Sequence, residues 1–299
     1  MYHGMININK EAGYTSHDVV AKLRGILGQK KIGHTGTLDP DAVGVLPVCL
    51  GVGTKLCDML TASDKEYAAV ICLGITTDTQ DMSGTVLTRN EVCVTPKQVE
   101  EAVFSFQGSY EQIPPMYSAL KVNGKKLYEL AREGREVERK ARCVTIKEIE
   151  IVRMQIPKVW IRVVCTKGTY IRTLCDDIGK KLGCGAAMES LERTRVGDFM
   201  IKDALSLSEV ERLAHENMLQ DVIIPPADMF PDLRKERVKS RYQKLLANGN
   251  PLVWEMMCDG SGFCDNEQVR IYSEENIFYG IYRYEEGTES FHPVKMFIV

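Results

Sequence analysis

The stretch GHTGTLDPDAVGVLP, residues 33–47, sets an aspartate between a run of small residues and a proline. Asp39 comes directly before Pro40, and a second acid, Asp41, follows two places after the first. An aspartate before a proline is a common turn residue, because its side chain can bond to its own backbone. The stretch is therefore either a tight turn with incidental acids or a loop whose carboxylate performs chemistry.

The composition predicts a soluble globular protein in the cytoplasm. Hydrophobic residues make up 44% of the 299 residues and charged residues 26%, which excludes a disordered or fibrous chain. The longest apolar runs span a few residues, far short of the roughly 20 needed to cross a bilayer. The opening MYHGMININK lacks the charged-then-apolar pattern of a signal peptide. The length suits one large domain and one small one.

The ten cysteines stand singly, with no C-x-x-C pair. Most lie in apolar surroundings, such as Cys72 in AVICLG and Cys165 in RVVC. We therefore expect reduced thiols that serve as small core hydrophobes, and neither disulfides nor a metal site.

The net charge of -3 gives no overall attraction to nucleic acid, but the basic residues are unevenly distributed. Stretches rich in Lys and Arg lie at residues 22–31, 121–147 and 234–244. Such runs are usually solvated faces, and they form a phosphate-binding surface only if they cluster in space.

Three segments show the apolar spacing and capping residues of helices. The first, TSHDVVAKLRGILG, has Ser16 as its expected cap and Gly28 as its stop. The second begins with a capping box formed by Thr95 and Gln98. The third is expected after Ser208.

Strand-like segments do not alternate regularly with these helices, which predicts an α/β fold of the α+β type. We expect a mixed, largely antiparallel sheet with flanking helices. The proline-rich segment at residues 223–233 is the best boundary. It divides the chain into a large domain at 1–231 and a small β-rich domain at 232–299, the latter opening with a basic helix at 234–244. The strand candidates are YAAVICLG, CVTIKEIEIV, VWIRVVC, VRIY, IFYGIYRY and VKMFIV.

Three familiar motifs are present only in part. GVGTK has its threonine before Lys55, the reverse of the order in a P-loop. DTQDMSG resembles the start of a calcium loop, but Arg89 stands where the bidentate glutamate belongs. GCGAAM lacks the third glycine of a dinucleotide site and does not follow a predicted strand. We therefore predict neither nucleotide nor metal binding.

The remaining polar candidates are Asp39, Tyr67, and Tyr170 with Arg172 in KGTYIRTL. Each has an ordinary structural explanation: a turn cap, a strand aromatic, a surface cation. None of them decides a function when it is taken alone.

Together with their neighbours, these residues resemble one family. GHTGTLDPDAVGVLPVCLG is similar to the active-site motif of the bacterial tRNA pseudouridine-55 synthases, the TruB family. Five further segments agree in order over residues 5–230. One departure is Glu11, where proline commonly follows the lysine, and we expect it to change local rigidity only. The five segments are NKEAGYTSHDVV, KEYAAVICLGITTDTQDMSG, IPPMYSALKVNGKKLYELAREG, KGTYIRTLCDDIG and LERTRVGDF.

The resemblance implies a pseudouridine synthase fold, a C-terminal domain like the PUA RNA-binding module, and isomerisation of uridine 55 in tRNA without cofactor or metal. By the family's motif, Asp39 is the catalytic carboxylate, and Tyr67 stacks on the target base. Arg172 matches the cation that pairs with Asp39. Whether Asp39 attacks C1' of the ribose, removes the C2' proton or adds to C6 of the base is left open.

The same match implies further contacts with the RNA. Tyr170 and Leu191 complete the wall around the base, and His34 stacks in the gap that the flipped base leaves. For His34 an ordinary core histidine is the alternative. Lys10 and Lys31 are further candidates for RNA binding.

Two other functions stay open at this point. One is an RNA-binding protein without catalysis; the other is a glycoside or nucleoside hydrolase, which needs two cooperating carboxylates. The expected partner is the T-stem loop of tRNA, bound by a monomer without an obligate protein partner or a membrane. Residues 254–299 carry nine acids against three Lys or Arg, an odd balance for an RNA-binding module.

Overall fold

Two β-sheets, joined by an apolar contact, organise the chain. The structure is a computed structural model that describes residues 1–122, 124–258 and 262–298. The helices are α1 (Ser16–Leu27), α2 (Cys57–Thr61), α3 (Pro96–Phe104), α4 (Leu127–Arg132), α5 (Ile171–Leu182), α6 (Leu207–His215) and α7 (Gln243–Ala247). The strands are β1 (Gly4–Lys10), β2 (Ile32–His34), β3 (Val43–Leu50), β4 (Lys65–Leu73), β5 (Ile75–Thr77), β6 (Val86–Arg89), β7 (Gly108–Gln112), β8 (Lys121–Val122), β9 (Lys125–Lys126), β10 (Arg142–Gln155), β11 (Lys158–Cys165), β12 (Ala186–Val196), β13 (Phe199–Met200), β14 (Arg234–Val238), β15 (Leu252–Val253), β16 (Gln268–Ser273), β17 (Phe278–Glu285) and β18 (Ser290–Met296).

The larger sheet follows the order β1-β3-β12-β4-β11-β10-β7, with β2 paired to β3 and β13 paired to β12. β3 and β12 run parallel, and the other neighbours are antiparallel. The mixed, largely antiparallel sheet that the sequence predicts is therefore confirmed.

The alternation of buried and exposed residues along β4 shows which face of this sheet packs against helices. Tyr67, Ala69 and Ile71 are buried, whereas Ala68 between them is exposed. The buried face contributes to a core that includes residues of α3 and α5. Because successive side chains of a strand point to opposite faces, Tyr67 lies on the face of Ala69 and Ile71, in the core that also holds Ile171 of α5.

The helix caps differ in part from the prediction. Thr15, not Ser16, caps α1, and it forms a capping box with Asp18. α6 is capped by Ser206, two residues earlier than expected. The capping box predicted at Thr95 is confirmed. Neighbouring hydroxyl residues compete for the capping position, Thr15 with Ser16 and Ser206 with Ser208, and the hydrogen-bond geometry decides which one takes it.

The smaller sheet follows the order β14-β16-β17-β18-β15. The prediction of a basic helix at 234–244 is wrong for its first half, since β14 is a strand parallel to β16. Glu236 and Val238 are buried while their neighbours Lys235 and Arg237 are exposed, so the segment follows a period of two despite its charge. Val299, at the end of the predicted strand VKMFIV, lies outside the described residues.

An apolar cluster joins the two sheets. Val45 and Cys49 of β3 pack in one core with Ile281 and Phe297. The first residues of the second sheet follow the proline-rich segment, which is consistent with a boundary near residue 231, and the division into two domains stays a prediction. Among the described residues, no helix is long and apolar enough to span a membrane.

The cysteines are less uniformly buried than expected. Four of them are buried, whereas Cys93, Cys143 and Cys264 are exposed. In the part of the chain that the structure describes, no cluster of His, Cys, Asp or Glu could hold a metal ion. The buried four are Cys49, Cys165, Cys175 and Cys184.

Phe297→Ala tests the contact between the sheets. Phe297 is 3% exposed and stacks on Phe278 at 5.4 Å between ring centroids. Removing the ring leaves a cavity, and we expect the free energy of unfolding to fall by about 3 kcal/mol, measured by urea denaturation. The control Val294→Ala, on β18 just before Phe297 but 49% exposed, should cost less than about 1 kcal/mol. Equal effects of the two substitutions would contradict a shared core.

Candidate active site

Asp39 lies in the loop between β2 and β3, and side chains from the N-terminal segment hold that loop. The backbone amide of Leu38 donates to Ser16 Oγ at 2.9 Å. Lys10 Nζ donates to the carbonyl of Pro40 at 2.9 Å. Asp39 is thus fixed on both sides by groups that start about 20 to 30 residues away in sequence, so its position is set by tertiary contacts.

Arg172, in the first turn of α5, pairs with Asp39 through two nitrogens. Its Nε is 2.9 Å from Oδ2, and its Nη2 is 3.2 Å from Oδ1. The guanidinium is almost fully buried and also donates to the carbonyls of Thr79 and Tyr117. A second carboxylate, Asp81, lies 3.5 Å from its Nη1. This forked pairing fixes the orientation of the carboxylate more tightly than a point charge would.

Opposing effects set the protonation of Asp39. Burial raises the pKa of Asp39 above its ordinary value, and the neighbouring Asp81 acts in the same direction. Arg172 and Lys10 lower it, without cancelling the effect of burial. Asp39 therefore needs a higher pH than an ordinary aspartate to become ionised.

Beside Asp39 is a pocket of about 320 Å³. Tyr67 of β4 and Leu191 of β12 supply its inner wall, and Tyr170 enters from the residue before α5. Gln112 holds the backbone of Tyr170 with two hydrogen bonds, at 2.8 and 3.0 Å. Burial raises the pKa of Tyr67, so its phenol is protonated at neutral pH. Asp39, Arg172 and Leu191 also line a larger groove of about 1060 Å³, so the pocket and the groove are continuous at Asp39.

His34, at the end of β2, lines that groove together with His17. Their rings meet edge to face at 6.1 Å. Burial lowers the pKa of His34, so its ring is neutral at pH 7. Its Nδ1 has no hydrogen-bond partner among the described residues. A half-buried neutral ring at the groove is compatible with stacking, and the role of His34 stays a prediction.

The two lysines predicted to bind RNA occupy different environments. Lys10 is 0% exposed, and its ammonium donates to three backbone carbonyls, those of Glu11, Tyr14 and Pro40. Burial lowers the pKa of Lys10 to about 8. Direct contact of Lys10 with RNA is therefore not supported; it anchors the loop of Asp39. Lys31 is exposed just before β2, outside the residues that line the pocket or the groove.

The sequence analysis missed three residues that complete the site. Asp81 stands in DTQDMSG, after β5, a stretch that resembles a calcium loop and lies within one of the family-like segments without marking Asp81 itself. Ser16 was assigned to a helix cap, although its hydroxyl serves Leu38. Arg193 lies two residues after Leu191 in LERTRVGDF, and its pocket-lining position had no separate signal.

These groups have the arrangement expected of a catalytic centre of the carboxylate type. A carboxylate fixed by a guanidinium stands at the mouth of a pocket with an aromatic wall, next to a wider groove. Such a pocket suits one flat ring, and the groove suits the larger molecule to which that ring belongs.

Comparison with known proteins agrees with this class. A model of the TruB family pseudouridylate synthase N-terminal domain matches residues 24–171, and a model of the tRNA pseudouridylate synthase B C-terminal domain matches residues 172–230. The tRNA pseudouridine synthase B of Lachnoclostridium phytofermentans is 51% identical, covering 99% of this chain and 100% of the relative. That of Alkaliphilus oremlandii is 46% identical, covering 97% and 96%.

A solved structure supports the fold over the whole chain. The structure described as a Cbf5-Nop10-Gar1 complex superposes with a TM-score of 0.71 at 27% identity, covering 99% of this chain and 85% of the other. The chain belongs to the TruB family of pseudouridylate synthases.

Arg172→Met tests the ion pair through its pH dependence. If Asp39 must be ionised to act, activity rises with pH as its carboxyl loses a proton. Removing the guanidinium removes an influence that lowers the pKa of Asp39, so the acid limb of kcat/KM should move to higher pH. At neutral pH the rate should fall about 100-fold. The control Arg162→Met removes an arginine that pairs with three glutamates elsewhere on the sheet, and its profile should match that of the wild type. An unshifted limb in Arg172→Met would separate Arg172 from the titration of Asp39.

Proposed function

We propose that this chain converts uridine 55 in the T loop of tRNA to pseudouridine, with Asp39 as the catalytic carboxylate. The observation that carries the proposal is the forked Asp39–Arg172 pair at the junction of pocket and groove. Relatives that bear the name tRNA pseudouridine synthase B align over nearly the full chain, which supports tRNA as the substrate. The choice of position 55 rests on the similarity between the motif around Asp39 and the active-site motif of the family.

The reaction exchanges one glycosidic bond for another. The bond between N1 of uracil and C1' breaks, the base turns, and C5 bonds to C1'; C5 loses a proton and N1 gains one. There is no change of oxidation state, so a carboxylate that can form and release an adduct suffices as the reactive group. Asp39, held by Arg172, is the group in the pocket with this capacity.

The target base must leave its stack to reach Asp39. Flipping costs a few kcal/mol, and stacking on an aromatic side chain returns about 1–3 kcal/mol per base. Tyr67 provides that face in the pocket, and Leu191 and Tyr170 enclose the ring. His34 lies in the outer groove, where an aromatic ring can occupy the space that the base has left.

Asp39→Asn is the decisive substitution. The amide has the same shape but cannot act as a nucleophile or base, so pseudouridine formation should fall on the order of 1000-fold or more. The readout is mapping of pseudouridine in an unmodified tRNA transcript after incubation with purified protein. Binding of the tRNA should be nearly unchanged. Activity within about tenfold of wild type would remove Asp39 from the reaction.

Tyr67→Phe and Tyr67→Leu separate stacking from the hydroxyl. The Phe variant keeps the aromatic face, so it should be nearly as active as the wild type if stacking alone matters. The Leu variant should lose about 1–3 kcal/mol of the free energy of base binding. If the hydroxyl assists removal of the C5 proton, Phe should bind tRNA normally and stop after the first bond is broken. Single-turnover kinetics resolves the two steps. Wild-type turnover by Tyr67→Leu would exclude Tyr67 from the site.

Hydrolysis is the alternative that the structure makes worth testing, since Asp81 is a second carboxylate on the same guanidinium. A hydrolase would release free uracil, whereas the isomerase retains the base in the RNA. Chromatography of the small-molecule fraction after complete turnover therefore distinguishes them. Release of free uracil in stoichiometric amount would show that the reaction is hydrolysis and would contradict the proposed isomerisation.

A further inference from the structure

Arg193 is a buried cation between the loop of Asp39 and the wall of the pocket. It belongs to β12 and is 1% exposed. Its Nε donates to the carbonyl of Val45 at 2.7 Å. Its Nη2 and Nη1 donate to the carbonyls of Gly36 and Thr37, at 3.2 and 3.5 Å. One guanidinium thus holds the start of the catalytic loop and the strand β3 that follows it.

The same guanidinium acts on Tyr67. Arg193 and Tyr67 are direct partners in the antiparallel pairing of β12 with β4. Burial raises the pKa of the Tyr67 phenol, and Arg193 opposes that rise through charge and hydrogen bonding. The phenol in turn opposes the effect of burial on the pKa of Arg193. Both side chains line the pocket.

A buried charge is costly unless its environment compensates it. Here the compensation comes from backbone carbonyls and a phenol, while Lys10 and Lys65 add positive charge nearby. An apolar residue would avoid this cost if β12 only needed to pack. The arrangement instead favours a role in which the direction of several hydrogen bonds matters.

We propose that Arg193 is a positioning residue that holds the Gly36–Thr37 carbonyls and the Tyr67 hydroxyl in one fixed arrangement, so that Asp39 and Tyr67 face the same ring. The inference rests on the proposed isomerisation, in which these two side chains serve one base. Arg193 acts through the loop and through Tyr67. It needs no contact with the RNA.

Arg193→Lys and Arg193→Met, with Arg195→Met as control, test this role. Lysine keeps the charge but cannot donate along the three directions that the guanidinium uses, and methionine keeps only the stem. Arg195 lies on the same strand and is partly exposed, with its Nη2 3.8 Å from Glu66. The assay is single-turnover formation of pseudouridine in an unmodified tRNA transcript, with binding measured separately.

We expect the rate at saturating enzyme to fall about 10-fold in Arg193→Lys and about 100-fold in Arg193→Met, because displacement of reacting groups by about 1 Å costs rates of this order. The dissociation constant for tRNA should stay within about 3-fold of wild type, since the proposed role acts through the loop and Tyr67 and not through the RNA. Arg195→Met should leave both quantities unchanged. If Arg193→Met does not fold, the rate of Arg193→Lys alone tests the proposal.

A second readout reports on Tyr67 without catalysis. In protein labelled with 3-fluorotyrosine, the resonance of residue 67 is assigned by its loss in Tyr67→Phe. Its chemical shift should move in Arg193→Lys and stay in place in Arg195→Met. If the wild-type protein makes no pseudouridine, the proposed function is refuted. The spectrum still tests the link between Arg193 and Tyr67 in that case.

Two results would overturn the inference. One is a rate for Arg193→Lys within about 2-fold of wild type, since the lost hydrogen-bond directions would then be irrelevant. The other is an unmoved resonance of residue 67 in a folded Arg193 variant, whatever its rate. A loss of thermal stability alone, with the rate and the spectrum unchanged, would assign Arg193 to packing.

Discussion

The ion pair between Asp39 and Arg172 is the constraint around which the site is built. A partly buried carboxylate is stabilised in its charged form by a cation and by hydrogen-bond donors, and Arg172 supplies both at 2.9 and 3.2 Å. Arg172 is itself buried, so its remaining donors must be satisfied by carbonyls and by Asp81. The pair of Asp39 and Arg172 thus depends on a further set of groups around the guanidinium.

The loop that carries Asp39 is held by side chains from three other elements. Its carbonyls and amide are held by Lys10, Ser16 and Arg193, which come from the first strand, the first helix and β12. Loops are ordinarily the mobile parts of a fold, and this one gains order from side chains on rigid elements. At Glu11, the contact with Lys10 is made by the backbone carbonyl and does not depend on the side chain at this position.

The smaller sheet contributes a different kind of support. Ile281 and Phe297 close the apolar face of β3, and Lys55 donates to the carbonyl of Met296 at 2.8 Å. The loop of Asp39 leads directly into β3, so the packing of the C-terminal strands reaches the strand that follows Asp39. The acids of residues 254–299 therefore do not conflict with a structural role for this part of the chain.

The sequence alone determined the sheet class, most elements and the group of Asp39, Tyr67 and Arg172, because strand and helix periods and short motifs are local signals. It also indicated the family, since six motifs in order are specific. It misjudged β14, where a charge run concealed a two-residue period, and it gave Lys10 as a candidate for RNA binding, although the structure buries that side chain. Only the tertiary structure brought Asp81, Ser16 and Arg193 to the catalytic loop. Their contacts cross about 20 to 160 residues of chain, and no local pattern records which buried carbonyl or carboxylate a distant side chain will meet.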